Sequence, residues 1–194
     1  YERGLAPKKS RLTAETGAGV LSLDLRVKDG RVDAVTVDMG PPRLERAEIP
    51  MVGAAGRVVD EEIRAGDRIF RVTCLSMGNP HCVMVVDDVE SFPVLQLGPL
   101  VEHHSAFPQR VNAGFMQIVN RGEIRLRVYE RGSGETLACG TGACAAVVAG
   151  RLRGLLDEHV VVHTHGGDLH IGWAGANAPV WKTGPAVTVF EGQL

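Results

Sequence analysis

Several features that mark other protein classes are missing from this sequence of 194 residues. Its four cysteines form no C-x-x-C pair, which argues against a zinc ribbon and against a thioredoxin-type redox site. No signal peptide is visible, and no apolar run is long enough to cross a bilayer. We therefore expect a reduced, soluble, cytoplasmic protein that has no membrane partner.

The sequence also has no large excess of either charge, and it has few lysines. The 21 basic and 23 acidic residues leave a formal net charge of −2, and no basic-aromatic stripe is visible, so we expect no nucleic-acid partner. Lysine occurs at four positions, Lys8, Lys9, Lys28 and Lys182. None of these lies in a convincing buried pocket, which argues against a Schiff-base lysine and therefore against pyridoxal chemistry.

Strand patterns dominate what is present. Residues 21–27 alternate apolar with polar side chains, and Asp29-Gly30 is typical of a type I′ turn before a return strand. Further hairpins are predicted within residues 115–128, 160–173 and 179–190. Residues 140–156 form the one long helix candidate. Many strands with few helices predict an α+β fold.

The segment with the most chemical content is YERGSGETLACGTGACAA, residues 129–146. It places Cys139 directly before a Gly-Thr-Gly-Ala run that can open a helix. Unpaired N–H groups and the positive end of the dipole favour a thiolate at such a position, and the same groups can bind a carboxylate. The segment therefore offers a proton acceptor beside an anion site. A strand, a turn and a close-packed helix would also explain it.

Glu130 in this segment has the spacing of a buried carboxylate. Period-2 alternation places it on the apolar strand face that also carries Leu126 and Val128. A carboxylate there costs free energy unless it is paired. An ion pair with the neighbouring Arg131 is one explanation, and a functional pairing with Cys139 is the other.

Two further segments, SMGNPHCV at residues 76–83 and RVNAGF at residues 110–115, complete a recognisable set with ACGTG. In combination the three segments resemble the diaminopimelate epimerase family, and the resemblance runs over essentially the whole chain. It implies two similar α+β halves, each a curved mixed β-sheet around a central helix, with the active site in the cleft between them. It also implies homodimers that interconvert LL- and meso-diaminopimelate without metal or cofactor, in lysine and peptidoglycan biosynthesis.

The resemblance assigns the acid/base residues of one face of the substrate. Two thiols on opposite faces suit this reaction, because one partner can act as base while the other acts as acid. Cys139 matches the family's second catalytic cysteine, and Glu130 the group that ionises it. His81 matches the catalytic partner of the family's first cysteine, although a single histidine is more often structural.

The resemblance also assigns the substrate-binding residues. Arg131 would bind the distal carboxylate, for which a guanidinium offers a bidentate geometry. Asn79 and Asn112 match the amides that hold the distal end of diaminopimelate. Gly140 and Thr141 match the backbone donors that hold the reacting carboxylate and stabilise the carbanion-like state.

The domain organisation follows from the same pattern. Residues 1–39 would be the remnant of the N-terminal half, since Met-Gly-Pro-Pro at residues 39–42 is the strongest break in the sequence. Residues 40–184 would be the full C-terminal half. Residues 185–194 would be a strand that returns to the N-terminal half.

One part of the family pattern is missing from these 194 residues. The family's first catalytic cysteine lies in a Gly-Asn-Gly segment, and Cys74, Cys82 and Cys144 have no such context. We interpret these three cysteines as packing residues. Since the sequence begins with Tyr1, we expect a C-terminal fragment with half of a catalytic pair and no epimerase activity of its own.

Other functions stay open on the sequence alone. A related two-cysteine amino-acid racemase or a phenazine-pathway-type isomerase would share the fold, and a truncated, non-catalytic module could bind a carboxylate or a partner chain. His163 and His165 share one strand face and could be imagined as metal ligands, but no carboxylate or cysteine is fixed beside them in the pattern. We therefore expect ordinary strand polarity there and no metal site.

Overall fold

The computed structural model describes residues 1–2, 4, 9–16, 19–187 and 192. Within these residues it contains two α-helices, α1 (Val94–Glu102) and α2 (Gly140–Leu152), and a 3₁₀ turn at Arg46–Glu48. The strands are β1 (Arg11–Thr16), β2 (Gly19–Lys28), β3 (Arg31–Asp38), β4 (Val58–Ala65), β5 (Arg68–Ser76), β6 (Pro80–Val85), β7 (Asn112–Asn120), β8 (Glu123–Glu130), β9 (Gly134–Thr136), β10 (His159–Thr164), β11 (Gly167–Trp173) and β12 (Val180–Gly184).

The strands form one mixed sheet. Its order is β1-β2-β3-β12-β11-β10-β8-β7-β6-β5-β4, with β9 paired to β8. The β6–β7 and β8–β10 pairs are parallel, and the other pairs are antiparallel. Asp29 and Gly30 have φ values of 51° and 78°, which confirms the predicted type I′ turn between β2 and β3. The α+β class predicted from the sequence is confirmed.

Helix α2 lies at the centre of the sheet's concave side. Every residue from 142 to 150 is buried, and the helix contacts strands from β5 to β12. Its small side chains allow this close approach, and they include Ala143, Ala145 and Ala146. The prediction of a curved mixed sheet around a central helix is therefore confirmed.

The helix ends earlier than the predicted residue 156. Gly154 has a φ of 71°, and its N–H donates to the carbonyl of Arg151 at 2.9 Å. The N–H of Leu155 donates to the carbonyl of Gly150, also at 2.9 Å. These two bonds form a Schellman motif, which satisfies the last carbonyls and stops the helix at Leu152.

The two faces of the sheet bury two cores. Leu75 and Val83 point toward α2, whereas their neighbours Cys74 and Cys82 point into the second core, which α1 covers. Cys74, Cys82 and Cys144 are each at most 1% exposed. This burial agrees with the interpretation of the three cysteines as packing residues.

The last described strand differs from the prediction. Residues 179–181 were expected to form a hairpin with residues 186–190, but β12 pairs with β11 on one side and with β3 on the other. Residues 185–187 are not part of a strand, and residues 188–190 lie outside the described part of the chain. The domain limits after residues 39 and 184 stay predictions, and most of the predicted returning strand, 185–194, lies outside the described residues.

A search of the described residues finds no helix that is long and apolar enough to span a membrane.

Candidate active site at the start of helix α2

Cys139 occupies the N-cap position of α2. Its backbone is extended, with φ −123° and ψ 107°, and its carbonyl accepts the first helical hydrogen bond from the N–H of Ala143 at 2.9 Å. The residue is 5% exposed. The β10–β11 turn supports the loop before it, because the N–H of Gly166 donates to the carbonyl of Leu137 at 2.7 Å. The sulfur is therefore fixed at the N-terminus of α2.

Glu130 reaches this sulfur from the end of β8. It follows Leu126 and Val128 on the face that packs against α2, as the alternation predicted. Its carboxylate accepts a hydrogen bond from the Thr136 hydroxyl at 2.5 Å, and the same carboxylate raises the pKa of the Cys139 thiol. Thr136 is a member of the site that the sequence analysis missed.

Arg131 points away from Glu130, so the alternative ion pair between these neighbours is not formed. Its side chain is exposed, and one guanidinium N–H donates to the carbonyl of Gln109 at 3.1 Å. The backbone alternation at the end of β8 explains the divergence, because successive side chains point to opposite faces of a strand. The Glu130 carboxylate therefore interacts with Thr136 and Cys139 and not with Arg131.

The surroundings of Cys139 shift the pKa of its thiol in two opposite directions. Burial raises the pKa of the Cys139 thiol, and the Glu130 carboxylate adds to this direction. Hydrogen bonds from the Thr141 hydroxyl and from the backbone N–H of Gly142 act to lower the same pKa. The sequence predicted that the helix start would favour the thiolate. In the structure desolvation is the larger effect, so the net direction is the opposite.

A row of hydrogen bonds leads from Cys139 into the Gly-Asn-Pro-His turn. The Cys139 sulfur lies 3.6 Å from the Thr141 hydroxyl oxygen, which accepts a hydrogen bond from the Asn79 side-chain amide at 3.3 Å. The Asn79 carbonyl oxygen lies 3.0 Å from Nε2 of His81. Three residues with separately predicted roles are thus connected to the same sulfur.

His81 at the end of this row is neutral. It is 1% exposed, and burial, with a smaller effect of the Arg131 charge, lowers the pKa of His81 to about 3. A neutral imidazole carries a single ring N–H, so one nitrogen donates and the other accepts. The role of His81 as the partner of a first cysteine stays a prediction.

Asn112 holds two loops together beneath the site. It is 3% exposed; its side-chain oxygen accepts a hydrogen bond from the backbone N–H of Arg131 at 2.9 Å, and its amide donates to the carbonyl of Pro80 at 2.8 Å. Glu102, from the end of α1, accepts a hydrogen bond from the N–H of Gly132 at 2.8 Å. The turn that presents Arg131 is thus fixed on both sides. Direct contact of Asn112 with a substrate stays a prediction.

Lys182 is a neighbour of the site that the sequence analysis passed over. It is half-buried on β12, and its ammonium lies 2.8 Å from the point where a side chain on Gly140 would begin. A side chain on Gly140 would therefore have to displace the flexible end of Lys182. No local pattern could have shown it, because the contact joins a strand and a helix that are about 40 residues apart.

The start of α2 opens on a cleft of about 760 Å³. Thr141 lines it from the helix, and Met77 and Gly78 line it from the turn that carries Asn79. Residues 39–45 form the opposite wall. A cleft of this size is in the usual range for small-molecule sites.

The histidines of the β10–β11 hairpin have partners within the protein. His163 lies between two carboxylates, with Nδ1 at 2.7 Å from Asp168 and Nε2 at 3.0 Å from Glu123. Across the described ranges, no three histidine, cysteine or acidic residues are grouped as metal ligands would be.

Comparison with known proteins gives one family. The model of the diaminopimelate epimerase family matches residues 73–189. The diaminopimelate epimerase of Cupriavidus metallidurans is 56% identical over 199 residues, and that of Moorella thermoacetica is 53% identical over 194 residues. The alignments include the whole of this chain and 67% and 69% of those proteins. The chain thus spans about two thirds of their length, in their C-terminal part.

Solved structures with low sequence identity share the fold. A hydroxyproline epimerase from Agrobacterium vitis, with bound trans-4-hydroxy-L-proline, matches with a TM-score of 0.69 at 18% identity. The match covers 95% of this chain and 59% of that protein. A phenazine biosynthesis protein of the PhzF family from Bacillus anthracis matches with a TM-score of 0.57 at 15% identity, over 95% of this chain and 68% of that one.

Proposed function

The chain belongs to the diaminopimelate epimerase family. From this premise we propose that it supplies one of the two acid/base groups of a diaminopimelate epimerase, the group that acts on one face of the substrate's α-carbon. Its close relatives are named as enzymes of this kind, which are isomerases. The reaction we propose is the conversion of LL- to meso-diaminopimelate by thiol and thiolate groups, without pyridoxal phosphate or metal.

The observation that carries the proposal is the position of Cys139 at the start of α2, where its sulfur lies 3.6 Å from the Thr141 hydroxyl oxygen and where the Glu130 carboxylate acts on its pKa. The α-proton of an amino acid is very weakly acidic, so a base must be fixed against it. In the neutral state the thiol donates to the Glu130 carboxylate. When the proton moves to that carboxylate, the thiolate is left beside the Thr141 hydroxyl and the Gly142 N–H, which both donate to it.

We assign the reacting carboxylate to the first turn of α2. The N–H groups of Gly140 and Thr141 lie in that turn, and unpaired N–H groups at a helix start bind anions. The same groups would stabilise negative charge on the substrate after the proton has left.

We assign the distal end of diaminopimelate to Arg131, Asn79 and Asn112. Arg131 is exposed and is held by a turn that Asn112 fixes through its backbone N–H. A guanidinium suits a carboxylate in charge and shape. Asn79 forms hydrogen bonds with Thr141 and His81, so the substrate would extend from the start of α2 toward the turn that carries Asn79.

A second acid/base group must act on the opposite face of the α-carbon. We propose that it is a cysteine in a segment outside these 194 residues, with His81 as its partner. The complete protein would be a cytoplasmic homodimer that serves lysine and peptidoglycan synthesis.

A chimera tests this function. The amino-terminal third of the Cupriavidus metallidurans relative would be joined to this chain, and LL-diaminopimelate would be followed by exchange of the α-proton in D₂O and by separation of the isomers. We expect turnover of LL-diaminopimelate and none of proline or glutamate. Cys139→Ser in the chimera should lower the rate by about 10²-fold or more, the usual contribution of a general acid/base.

The matched control is Cys144→Ser, which changes a buried cysteine in the same helix that we assign to packing. It should fold and retain turnover within about an order of magnitude. Turnover that survives Cys139→Ser, or a folded chimera that acts on proline but not on diaminopimelate, would contradict the proposal.

A further inference from the structure

The Thr141 hydroxyl has one hydrogen to donate, and its surroundings determine where that hydrogen points. The side-chain amide of Asn79 donates to Oγ1 of Thr141 at 3.3 Å. An incoming donor occupies a lone pair and leaves the O–H free for an acceptor. The Cys139 sulfur, 3.6 Å away, is the acceptor within reach.

The orientation of Asn79 determines which way these hydrogen bonds point. An asparagine side chain could face Thr141 with either its oxygen or its nitrogen, with opposite consequences for the hydroxyl. In the structure the Asn79 nitrogen faces Thr141, and its oxygen lies 3.0 Å from Nε2 of His81. Because this oxygen can only accept, the matching tautomer of His81 carries its ring hydrogen on Nε2.

We propose that His81 and Asn79 are positioning residues that hold the Thr141 hydroxyl as a donor to the Cys139 sulfur, and that this donor stabilises the thiolate. Each group in the row donates a hydrogen bond to the next: the imidazole donates to the amide oxygen, the amide nitrogen to the hydroxyl oxygen, and the hydroxyl to the sulfur. The inference deepens the proposed acid/base role of Cys139 and rests on that role.

Other charged or titratable groups face the same sulfur or its neighbours. Glu130, on β8, raises the pKa of the Cys139 thiol and so opposes Thr141. Lys182, on β12, lies over Gly140, and Cys144 is buried within α2 one turn further on. Arg131 acts on His81. Glu130 therefore favours the neutral thiol, whereas the Thr141 hydroxyl favours the thiolate.

The test measures the thiol pKa of Cys139 in this 194-residue chain. The rate of alkylation by iodoacetamide is followed from pH 6 to 11, and mass spectrometry of the peptides separates Cys139 from the other three cysteines. Thr141→Val removes the hydroxyl, preserves the shape and leaves the backbone N–H in place. It should raise the thiol pKa by about one unit, since a hydrogen bond to a charged group contributes on that scale. Thr141→Ser should restore the wild-type value.

A double-mutant cycle tests whether Asn79 acts through Thr141. Asn79→Leu should raise the thiol pKa in the wild-type background and have little further effect in the Thr141→Val background. His81→Phe should give a smaller upward shift that also depends on Thr141. A merely structural role of these residues would not give this dependence, because a general loosening would act in both backgrounds.

The controls separate the possible outcomes. Thr13→Val removes an exposed hydroxyl on β1 and should leave the thiol pKa unchanged. Thr141→Ala is the second variant, should Thr141→Val not fold. An unchanged pKa in a folded Thr141 variant, or equal effects of Asn79→Leu in both backgrounds, would overturn the inference. The epimerase chimera can be active in that case, so the two proposals fail separately.

Discussion

Arg127 shows how one side chain fixes the loop in front of Cys139. Its guanidinium is 14% exposed and binds Glu135 of β9 through two hydrogen bonds of 2.6 and 3.0 Å. The same group donates to the carbonyl oxygens of Val89 and Phe92 before α1. The Glu135 hydrogen bonds raise the pKa of Arg127 further, so it stays charged. One cation thus connects β8, the β9 loop and the entry to α1.

We therefore expect Arg127→Met to destabilise the protein by about 2–4 kcal/mol. The change leaves Glu135 and the carbonyl oxygens of Val89, Glu90 and Phe92 without their donor, and breaking a largely buried pair is costly. Arg121→Met is the matched control, since Arg121 and Asp157 are 61% and 58% exposed and such pairs contribute about 0–1 kcal/mol. Urea unfolding of both variants gives the comparison, and equal losses would contradict the argument.

At this scale the sequence could predict part of the site. Cys139, Gly140 and Thr141 are neighbours in the chain, so their grouping follows from the helix start alone. Glu130 was placed on the correct strand face by its period-2 spacing. The hydroxyl of Thr136 and the ammonium of Lys182 could not be predicted, because their positions depend on how β9 and β12 pack after folding.

At the level of elements, three strands meet at His163. The imidazole of β10 lies between Asp168 of β11 and Glu123 of β8, at 2.7 and 3.0 Å. The hydrogen bond with Asp168, followed by that with Glu123, raises the pKa of His163 above 6.5. When protonated, the ring connects the parallel β8–β10 pair with the β10–β11 hairpin that follows it.

This geometry predicts a pH-dependent contribution to stability. A histidine whose pKa is higher in the folded state stabilises the protein when protonated, so its contribution is fully present below about pH 6.5 and is lost as the pH rises through the folded pKa. The free energy of unfolding lost in His163→Gln should therefore be larger at pH 5.5 than at pH 8.5.

The carboxylates on either side provide the control for that measurement. Asp168→Asn removes the larger cause of the shift and should reduce the pH dependence of the His163→Gln effect. A loss that is the same at both pH values would contradict the assignment.

Elements with local signals were predicted well, and those with non-local pairing were not. The β2–β3 hairpin carries its own turn sequence, and α2 carries its own small residues. Strand β12 shows the opposite case. Its pairing with β3 joins segments about 140 residues apart, and no turn chemistry encodes it. The sequence therefore favoured a local hairpin, whereas in the described part of the chain β12 has β11 and β3 as its two neighbours.

The pairing of β12 with β3 also determines how the molecule is assembled. It makes a continuous sheet from β1 to β4, with α2 and Cys139 on its concave side. All four cysteines are buried, and Cys139 is the one that lies at a helix start in the described part of the chain. A single acid/base group can exchange a proton on one face of the substrate, but inversion needs a second group on the other face.

We therefore expect the 194-residue chain to bind diaminopimelate weakly and to invert none of it. Isomer separation after prolonged incubation should show no meso product from LL-diaminopimelate. Diaminopimelate should still slow the alkylation of Cys139, since the first turn of α2 and Arg131 are present; proline, which has no distal carboxylate, should protect less. The measurement with Cys139→Ser sets the background. Inversion by the chain alone would show that one thiol, with Glu130 and the row of residues behind Thr141, is sufficient, and the two-thiol mechanism would then have to be abandoned.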